Sequence, residues 1–204
     1  MKRAIVLAVF CLGLVCIVVI NGRSGAAQVA IDGYRASDLK ENPVCKLAWL
    51  VGGVWTADAT EMGNGMKRIE TRYVWSDNNA FIRFTTHFVS NKETTNTYDG
   101  NFFWEPDKSQ LSMWYMSFAN EIIQGSIAIE GQTTKFSFRA KDFQEQMADM
   151  QVKLLRKTND KYQWQLEEKF DDKWRPLASL EYVRTQGDPQ AAKAPVATCG
   201  LAGS

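Results

Sequence analysis

The chain has few of the side chains that build most catalytic and metal sites. His87 is the only histidine among 204 residues, so a zinc site made of several histidines is excluded. The sequence has no Gly-x-Ser-x-Gly elbow, no phosphate-binding loop and no Gly-x-Gly-x-x-Gly motif. Those motifs are the strongest sequence signals of hydrolases and nucleotide-binding proteins. We therefore expect neither a metal nor a cofactor.

An excess of charge of one sign is also missing. The chain carries 24 basic and 23 acidic side chains, a net charge of +1. Without residues 1–27, which we assign below to a signal peptide, 21 basic side chains face 23 acidic ones, a net charge of −2. Proteins that bind nucleic acid usually present a strongly basic surface. We expect no nucleic-acid partner.

The N-terminus has the features of a secretory signal peptide. Two basic residues precede an apolar run over residues 4–20, and the small residues Gly25 and Ala27 stand at positions −3 and −1 of a cleavage site before Gln28. This pattern predicts a signal peptide over residues 1–27, a periplasmic or secreted protein, and no stable membrane insertion after processing. The weaker alternative is a retained N-terminal anchor, because 17 apolar residues could just span a bilayer.

Only two of the four cysteines remain after processing. Cys11 and Cys16 belong to the predicted signal peptide, which leaves Cys45 and Cys199. An oxidising compartment favours a disulfide between these two, and the bridge would tie the C-terminal tail to the beginning of the domain. The alternative is two unpaired thiols.

The segment from residue 42 to 55 predicts a short helix followed by the first strand. Asn42 and Pro43 form a helix start, and Gly52 with Gly53 ends the helix. Trp55 then stands at the beginning of a strand, where a glycine turn and a large rigid indole can plug one end of a barrel. Residues 28–42 before it form a polar leader without periodicity.

From Val54 onward the sequence alternates with a period of two, typical of half-buried strands. Short turn signals such as Asn78-Asn79 and Asn159-Asp160 separate the alternating segments. After the first strand, the predicted strands are 66–76, 80–90, 95–105, 110–119, 121–130, 133–141, 147–157, 161–170 and 174–185. Short hairpins imply antiparallel neighbours, and closure removes exposed edges. We therefore predict an all-β fold: an antiparallel up-and-down barrel of about ten strands over residues 43–185 with a plug helix, and a flexible tail over 186–204.

The residues at the two ends of the barrel are similar to those of the calycin superfamily. The helix runs into Gly53-x-Trp55, and Tyr182-Val-Arg184 ends the last strand. In calycins a basic side chain near the chain's end covers the first-strand tryptophan, which implies structural roles for Gly53, Trp55 and Arg184. The chain resembles more closely a family of uncharacterised secreted bacterial lipocalin-like barrels, through residues 47–55, 103–114 and 164–184. That resemblance implies the barrel and no particular activity.

Nitrobindin-like haem barrels are a more distant comparison, since they share ten strands and a Gly-x-Trp start. Here Thr56-Ala57-Asp58 follows Trp55 in place of a second glycine pair, and no histidine lies near the C-terminus. Both departures argue against haem.

One predicted strand face collects the side chains suited to an amphipathic ligand. If the turn at Asn91 and Lys92 is a two-residue loop, Tyr98 and Trp104 fall on the same face as the arginines of the preceding hairpin. We predict that Arg83, His87 and Tyr98 face the cavity and hold the polar head of a ligand, while Trp104 and Trp114 line its apolar part. The alternative is that Arg83 and His87 lie on a solvated outer face, and Ile82, Phe84 and Phe88 line the cavity instead.

A barrel that binds a small hydrophobic or amphipathic molecule in the periplasm or outside the cell is the favoured interpretation. One alternative is an enzyme on the same barrel, an isomerase or hydrolase of a lipid-like or aromatic molecule. A second is an envelope protein whose barrel is filled by its own side chains. Residues 110–119 are apolar on both faces, which also allows a homodimer edge.

Overall fold

The computed structural model describes residues 42–63, 65–91, 93–142, 145–185 and Cys199. Ten antiparallel strands close into one barrel, in which each strand pairs with its neighbours in the sequence and β1 pairs with β10. The strands are β1 (Val54–Asp58), β2 (Met66–Trp75), β3 (Ile82–Ser90), β4 (Thr94–Glu105), β5 (Gln110–Ser117), β6 (Ile122–Glu130), β7 (Thr133–Lys141), β8 (Met147–Thr158), β9 (Lys161–Phe170) and β10 (Lys173–Thr185). The predicted all-β, ten-stranded barrel is confirmed.

In the described ranges, three short 3-10 helices accompany the strands. The first, the plug helix, covers Pro43–Leu50, and the other two are the turns Thr60–Met62 and Pro106–Lys108. Asn42 caps the plug helix by accepting a hydrogen bond from the amide of Val44 at 3.1 Å. Val44, Leu47 and Leu50 are fully buried, so this helix anchors one end of the barrel.

The predicted disulfide is confirmed. Cys45 and Cys199 are bonded across 154 residues of sequence, with their Cα atoms 5.4 Å apart. The bridge therefore attaches Cys199 to the plug helix. The predicted signal peptide (1–27) and the tail around Cys199 lie outside the described residues, as does the leader apart from Asn42, and these assignments stay predictions.

The seam between the first and last strands is short. Because β1 has only five residues, it pairs with β10 only through Tyr182 to Thr185. Nearer its beginning, β10 pairs among the described strands with β9 alone, and its register shifts between Pro176 and Ala178. A proline within a strand requires such a bulge or an edge position. The barrel wall is thus incomplete next to the first half of β10.

Candidate functional site

Cross-strand pairing separates the inner wall of the barrel from the outer wall. Ile69 pairs with Phe88, Tyr73 with Phe84, and Trp75 with Ile82, and all six side chains belong to the hydrophobic core or pack against it. Glu70, Arg72 and Val74, which alternate with the inner-wall residues along β2, point outward because successive side chains in a strand alternate. The alternative cavity lining from the sequence analysis, Ile82, Phe84 and Phe88, therefore lies on the inner wall.

The prediction that Arg83 and His87 face the cavity is wrong. The Arg83 side chain is 56% exposed and forms a bidentate pair with Asp99, with Nη2–Oδ2 and Nε–Oδ1 distances of 2.8 and 3.2 Å. His87 is half-buried and lies opposite Glu70. The hydrogen bonds to Asp99 raise the pKa of Arg83. Both residues lie on the solvated outer wall, which was the alternative from the sequence analysis.

A β-bulge explains why Tyr98 and Trp104 lie on the opposite face of the sheet from Arg83. The register between β3 and β4 shifts between Thr86 and His87: His87 lies opposite Asn96, whereas Thr86 lies opposite Tyr98. Thr97 is the additional residue, and it turns every following β4 side chain to the other face. Tyr98 and Trp104 consequently lie on the inner wall, as predicted, and nothing in the sequence around Thr97 marks the bulge.

The two predicted lining tryptophans are also separated. Trp104 packs against the hydrophobic core, and its Nε1 is buried without a partner among the described residues. Trp114 lies opposite Asn101 and Gln124, in the outer-wall positions of β4, β5 and β6. The prediction that Trp114 lines the cavity is therefore wrong. Both faces of β5 are apolar, so alternation alone does not distinguish its sides.

The plug end of the barrel is built around Trp55. Its side chain is fully buried, and its Nε1 donates a hydrogen bond to the carbonyl of Leu50 at 2.7 Å. Rings of Trp49 and Tyr162 lie 5.9 and 4.7 Å from it, centroid to centroid. The guanidinium of Arg184 lies over the indole at 4.3 Å. This arrangement closes one end of the barrel with a cation–π contact.

Gly53 is required beside this plug for two reasons. Its φ of 70° lies in the left-handed region, and a Cβ there would sit 2.9 Å from the carbonyl oxygen of Thr185 and 3.0 Å from Cγ of Arg184. Any larger residue would push the last strand away from the first.

Hydrogen-bonded tyrosines and threonines occupy the inner wall above the plug. The side chains of Tyr73 and Tyr162 hydrogen-bond to each other, and Tyr182 hydrogen-bonds to Thr71. Thr71 Oγ1 lies 3.0 Å from Thr86 Oγ1, and both threonines are buried. Burial raises the pKa of Tyr73 to about 12 and also raises the pKa values of Tyr162 and Tyr182. These hydroxyls are therefore neutral hydrogen-bonding groups at neutral pH.

This network predicts alkaline unfolding. A tyrosine in the unfolded chain ionises near pH 10, whereas Tyr73 keeps its proton to about pH 12 in the folded protein. Because the folded state then binds more protons, its stabilisation is complete below about pH 10 and is lost as the pH rises towards 12. Each such tyrosine should lower the free energy of unfolding by ~1.4 kcal/mol per pH unit in that window.

Urea melts between about pH 8 and pH 11 would measure this loss. Above about pH 10, Tyr73→Phe should reduce the slope with pH by ~1.4 kcal/mol per unit, because one titrating group is removed. An unchanged slope in that variant would show that Tyr73 ionises equally in both states.

The inner wall towards the other end of the barrel is partly solvent-exposed. We call this region the cup, and we call the end opposite the plug helix the mouth. An aromatic side of the cup comes from β3 to β7: Phe84, Phe88, Tyr98, Tyr115 and Phe138. An aliphatic side comes from β8 to β10: Val152, Leu166, Ala178 and Leu180. None of these residues is fully buried, and Ala178 is exposed where the wall is incomplete.

The aromatic side of the cup forms a connected series of rings. Edge-on contacts join Phe88 to Tyr98 at 6.2 Å, Tyr98 to Tyr115 at 5.4 Å and Tyr115 to Phe138 at 6.1 Å. Burial raises the pKa values of Tyr98 and Tyr115, so both remain neutral. Neither hydroxyl forms a hydrogen bond with a described residue, and each is available to a ligand.

One buried carboxylate lies near the mouth. Glu168 is 5% exposed and lies opposite Met150 on the inner wall. Arg175 donates to its Oε2 from Nη2 at 2.5 Å, and the Arg175 side chain is 57% exposed. Beside the apolar cup there is thus a carboxylate, that of Glu168, whose charge is balanced by Arg175.

Comparisons with known protein families and with curated proteins found no match. No helix in the described ranges is long and apolar enough to cross a membrane. Across the same ranges, no group of three or more His, Cys, Asp or Glu side chains could hold a metal ion. The chemistry of the cup must therefore be understood from its own side chains.

Proposed function

We propose that the barrel binds a small apolar or amphipathic molecule in the cup. The observation that carries the proposal is the contrast between the two ends of the inner wall. At the plug end Trp55, Leu47 and Tyr162 are at most 1% exposed, whereas the apolar side chains of the cup remain accessible. Accessible apolar surface inside a concave wall is the usual setting of a small-molecule site.

The chemistry of the cup suggests the kind of ligand. Aromatic rings on one side and aliphatic side chains on the other would enclose a flat or chain-like apolar body. The free hydroxyls of Tyr98 and Tyr115 would donate hydrogen bonds to a carbonyl, carboxylate or hydroxyl group on it. We propose these tyrosines as the polar anchor, in place of Arg83 and His87. Membership of a lipocalin-like family and export to the periplasm or beyond both accord with such a role and remain proposals.

The alternatives from the sequence receive less support. An isomerase or hydrolase would need a proton donor or acceptor directed at the substrate, and Glu168 is engaged by Arg175 while the tyrosines have raised pKa values. A barrel filled by its own side chains fits the plug end but leaves the exposure of the cup unexplained. No contact among the described residues favours a homodimer.

Filling the cup should abolish binding. Ala178→Trp places an indole at the exposed inner-wall position of β10, and we expect the affinity for anilinonaphthalene sulfonate and for oleate to fall by at least about tenfold. Val183→Trp is the matched control, because Val183 is 41% exposed on the outer wall of the same strand. Fluorescence titration would measure both.

Equal binding by the two tryptophan variants would contradict a ligand site in the cup. Tyr115→Phe refines the test, since loss of one hydroxyl hydrogen bond should weaken oleate by about 0.5–1.5 kcal/mol. Native mass spectrometry of protein purified from its own host would identify the class of any ligand that co-purifies.

A further inference from the structure

A row of polar side chains flanked by two tryptophans crosses the outer wall near the mouth. Trp114 lies opposite Gln124, Arg139 opposite Asp149, and Lys169 opposite Trp174. The adjoining inner-wall pairs Gly125–Phe138 and Met150–Glu168 place these three pairs side by side. The row therefore makes five strand-to-strand steps from β5 to β10, a span of roughly 24 Å.

Most of this row lines a shallow groove. The groove has a volume of about 630 Å³, and its lining includes Gln124, Arg139, Asp149, Lys169 and Trp174. Trp174 is 42% exposed, and neither it nor Trp114 donates an indole hydrogen bond to any described residue.

The groove presents two cations, each paired with an exposed carboxylate. Arg139 pairs with Asp149 at 3.3 Å, and both side chains are more than half exposed. Lys169 pairs at 3.0 Å with Asp172, which is 96% exposed and lies in the β9–β10 turn. The lining thus contains two cations and one carboxylate, and its donors and acceptors point into solvent.

We propose that this row binds an oligosaccharide that carries carboxylate groups. A sugar ring has an apolar face of C–H groups, which can stack on an indole, and an edge of hydroxyls, which needs donors and acceptors in the same plane. Trp174 and Trp114 supply the stacking surfaces at the two ends. Between them, the Gln124 amide can donate to and accept from hydroxyls, and the Asp149 carboxylate can accept from them. Lys169 and Arg139 supply charge-assisted hydrogen bonds to sugar carboxylates. The distance between successive sugars in an extended chain is close to the distance between neighbouring strands.

The row lies on the outer wall, whereas the cup belongs to the inner wall. The groove lining also includes Met150 and shares Phe138 with the cup, but it does not include Ala178. The Ala178→Trp variant should therefore bind the oligosaccharide with unchanged affinity, and failure of either proposal is distinguishable from failure of the other.

Calorimetric titration with oligogalacturonate and alginate oligosaccharides tests the proposal. Trp174→Ala should weaken binding by about tenfold, since one stacking surface is lost. Phe118→Ala is the matched control, because Phe118 is 71% exposed at the mouth and outside the row. Lys169→Gln should weaken binding and reduce its dependence on salt, whereas Lys161→Gln should not, because Lys161 is ion-paired to Glu181 on the outer wall near the plug end.

Three results would overturn the proposal. The first is the absence of binding by the intact protein at millimolar concentrations of these uronate oligosaccharides. The second is an equal effect of Trp174→Ala and Phe118→Ala. The third is equally tight binding of the neutral oligosaccharide cellohexaose, which would leave Arg139 and Lys169 without a role in recognition.

Discussion

Trp55→Ala is expected to lower the free energy of unfolding by about 3–5 kcal/mol, as large aromatic truncations in protein cores do. The indole is fully buried at the plug end and contacts Trp49, Tyr162 and Arg184. Its removal leaves a cavity and also leaves the carbonyl of Leu50 without its 2.7 Å hydrogen bond. Urea denaturation would measure the loss.

Two further variants separate the contributions of Trp55. Trp55→Phe keeps most of the ring but removes the donor, so it should cost less than the alanine variant. Trp174→Ala removes an indole of the same size from an exposed position and should change stability by less than about 1 kcal/mol. A Trp55→Ala variant as stable as Trp174→Ala would refute the role of Trp55 as the plug.

Arg184→Leu should destabilise the protein by a comparable amount, roughly 3–5 kcal/mol, because several buried acceptors lose a charged donor. Nη1 donates to the carbonyls of Val51 and Gly52 at 2.7 and 2.8 Å. Nη2 donates to the carbonyl of Trp49 and, at 3.1 Å, to that of Asn159. These contacts hold the end of the plug helix against the last strand.

Arg184→Lys should recover little of this stability. An ammonium group cannot reach four carbonyls together, and it lacks the planar guanidinium that stacks on Trp55. Arg83→Leu is the control, since Arg83 forms an exposed pair with Asp99 and such pairs contribute about 0–1 kcal/mol. If Arg83→Leu and Arg184→Leu melted at the same urea concentration, the carbonyl contacts of Arg184 would contribute nothing.

The sequence was sufficient for the fold because its local signals agree. Alternation of period two, short turns and the absence of room for crossover helices all indicate a meander, and the helix start at Asn42 precedes a helix that the structure places at Pro43–Leu50. The pairing of Cys45 with Cys199 followed from elimination once the predicted signal peptide, residues 1–27, was set aside. These inferences depend on patterns that the chain carries locally.

The site was harder to predict because the face on which a side chain lies depends on the register of its strand. One additional residue, Thr97, reverses every side chain of β4 beyond it relative to a two-residue hairpin. Tyr98 therefore lies on the inner wall, whereas Arg83 lies on the outer wall. Trp114 could not be assigned because Leu111, Met113 and Met116 make both faces of β5 apolar. The incomplete wall beside β10 depends on the shortness of β1, which no residue signals.

That short seam has a consequence for how the protein behaves at high concentration. An unpaired strand edge offers free amide and carbonyl groups to a second molecule and can start sheet-to-sheet aggregation. Over residues 173–181, β10 is such an edge with respect to the described strands. Pro176 removes one donor, the bulge interrupts the repeat of the others, and Lys173, Arg175 and Glu181 add charge. The same bulged, charged strand that borders the cup thus also carries the features that disfavour edge-to-edge pairing of strands.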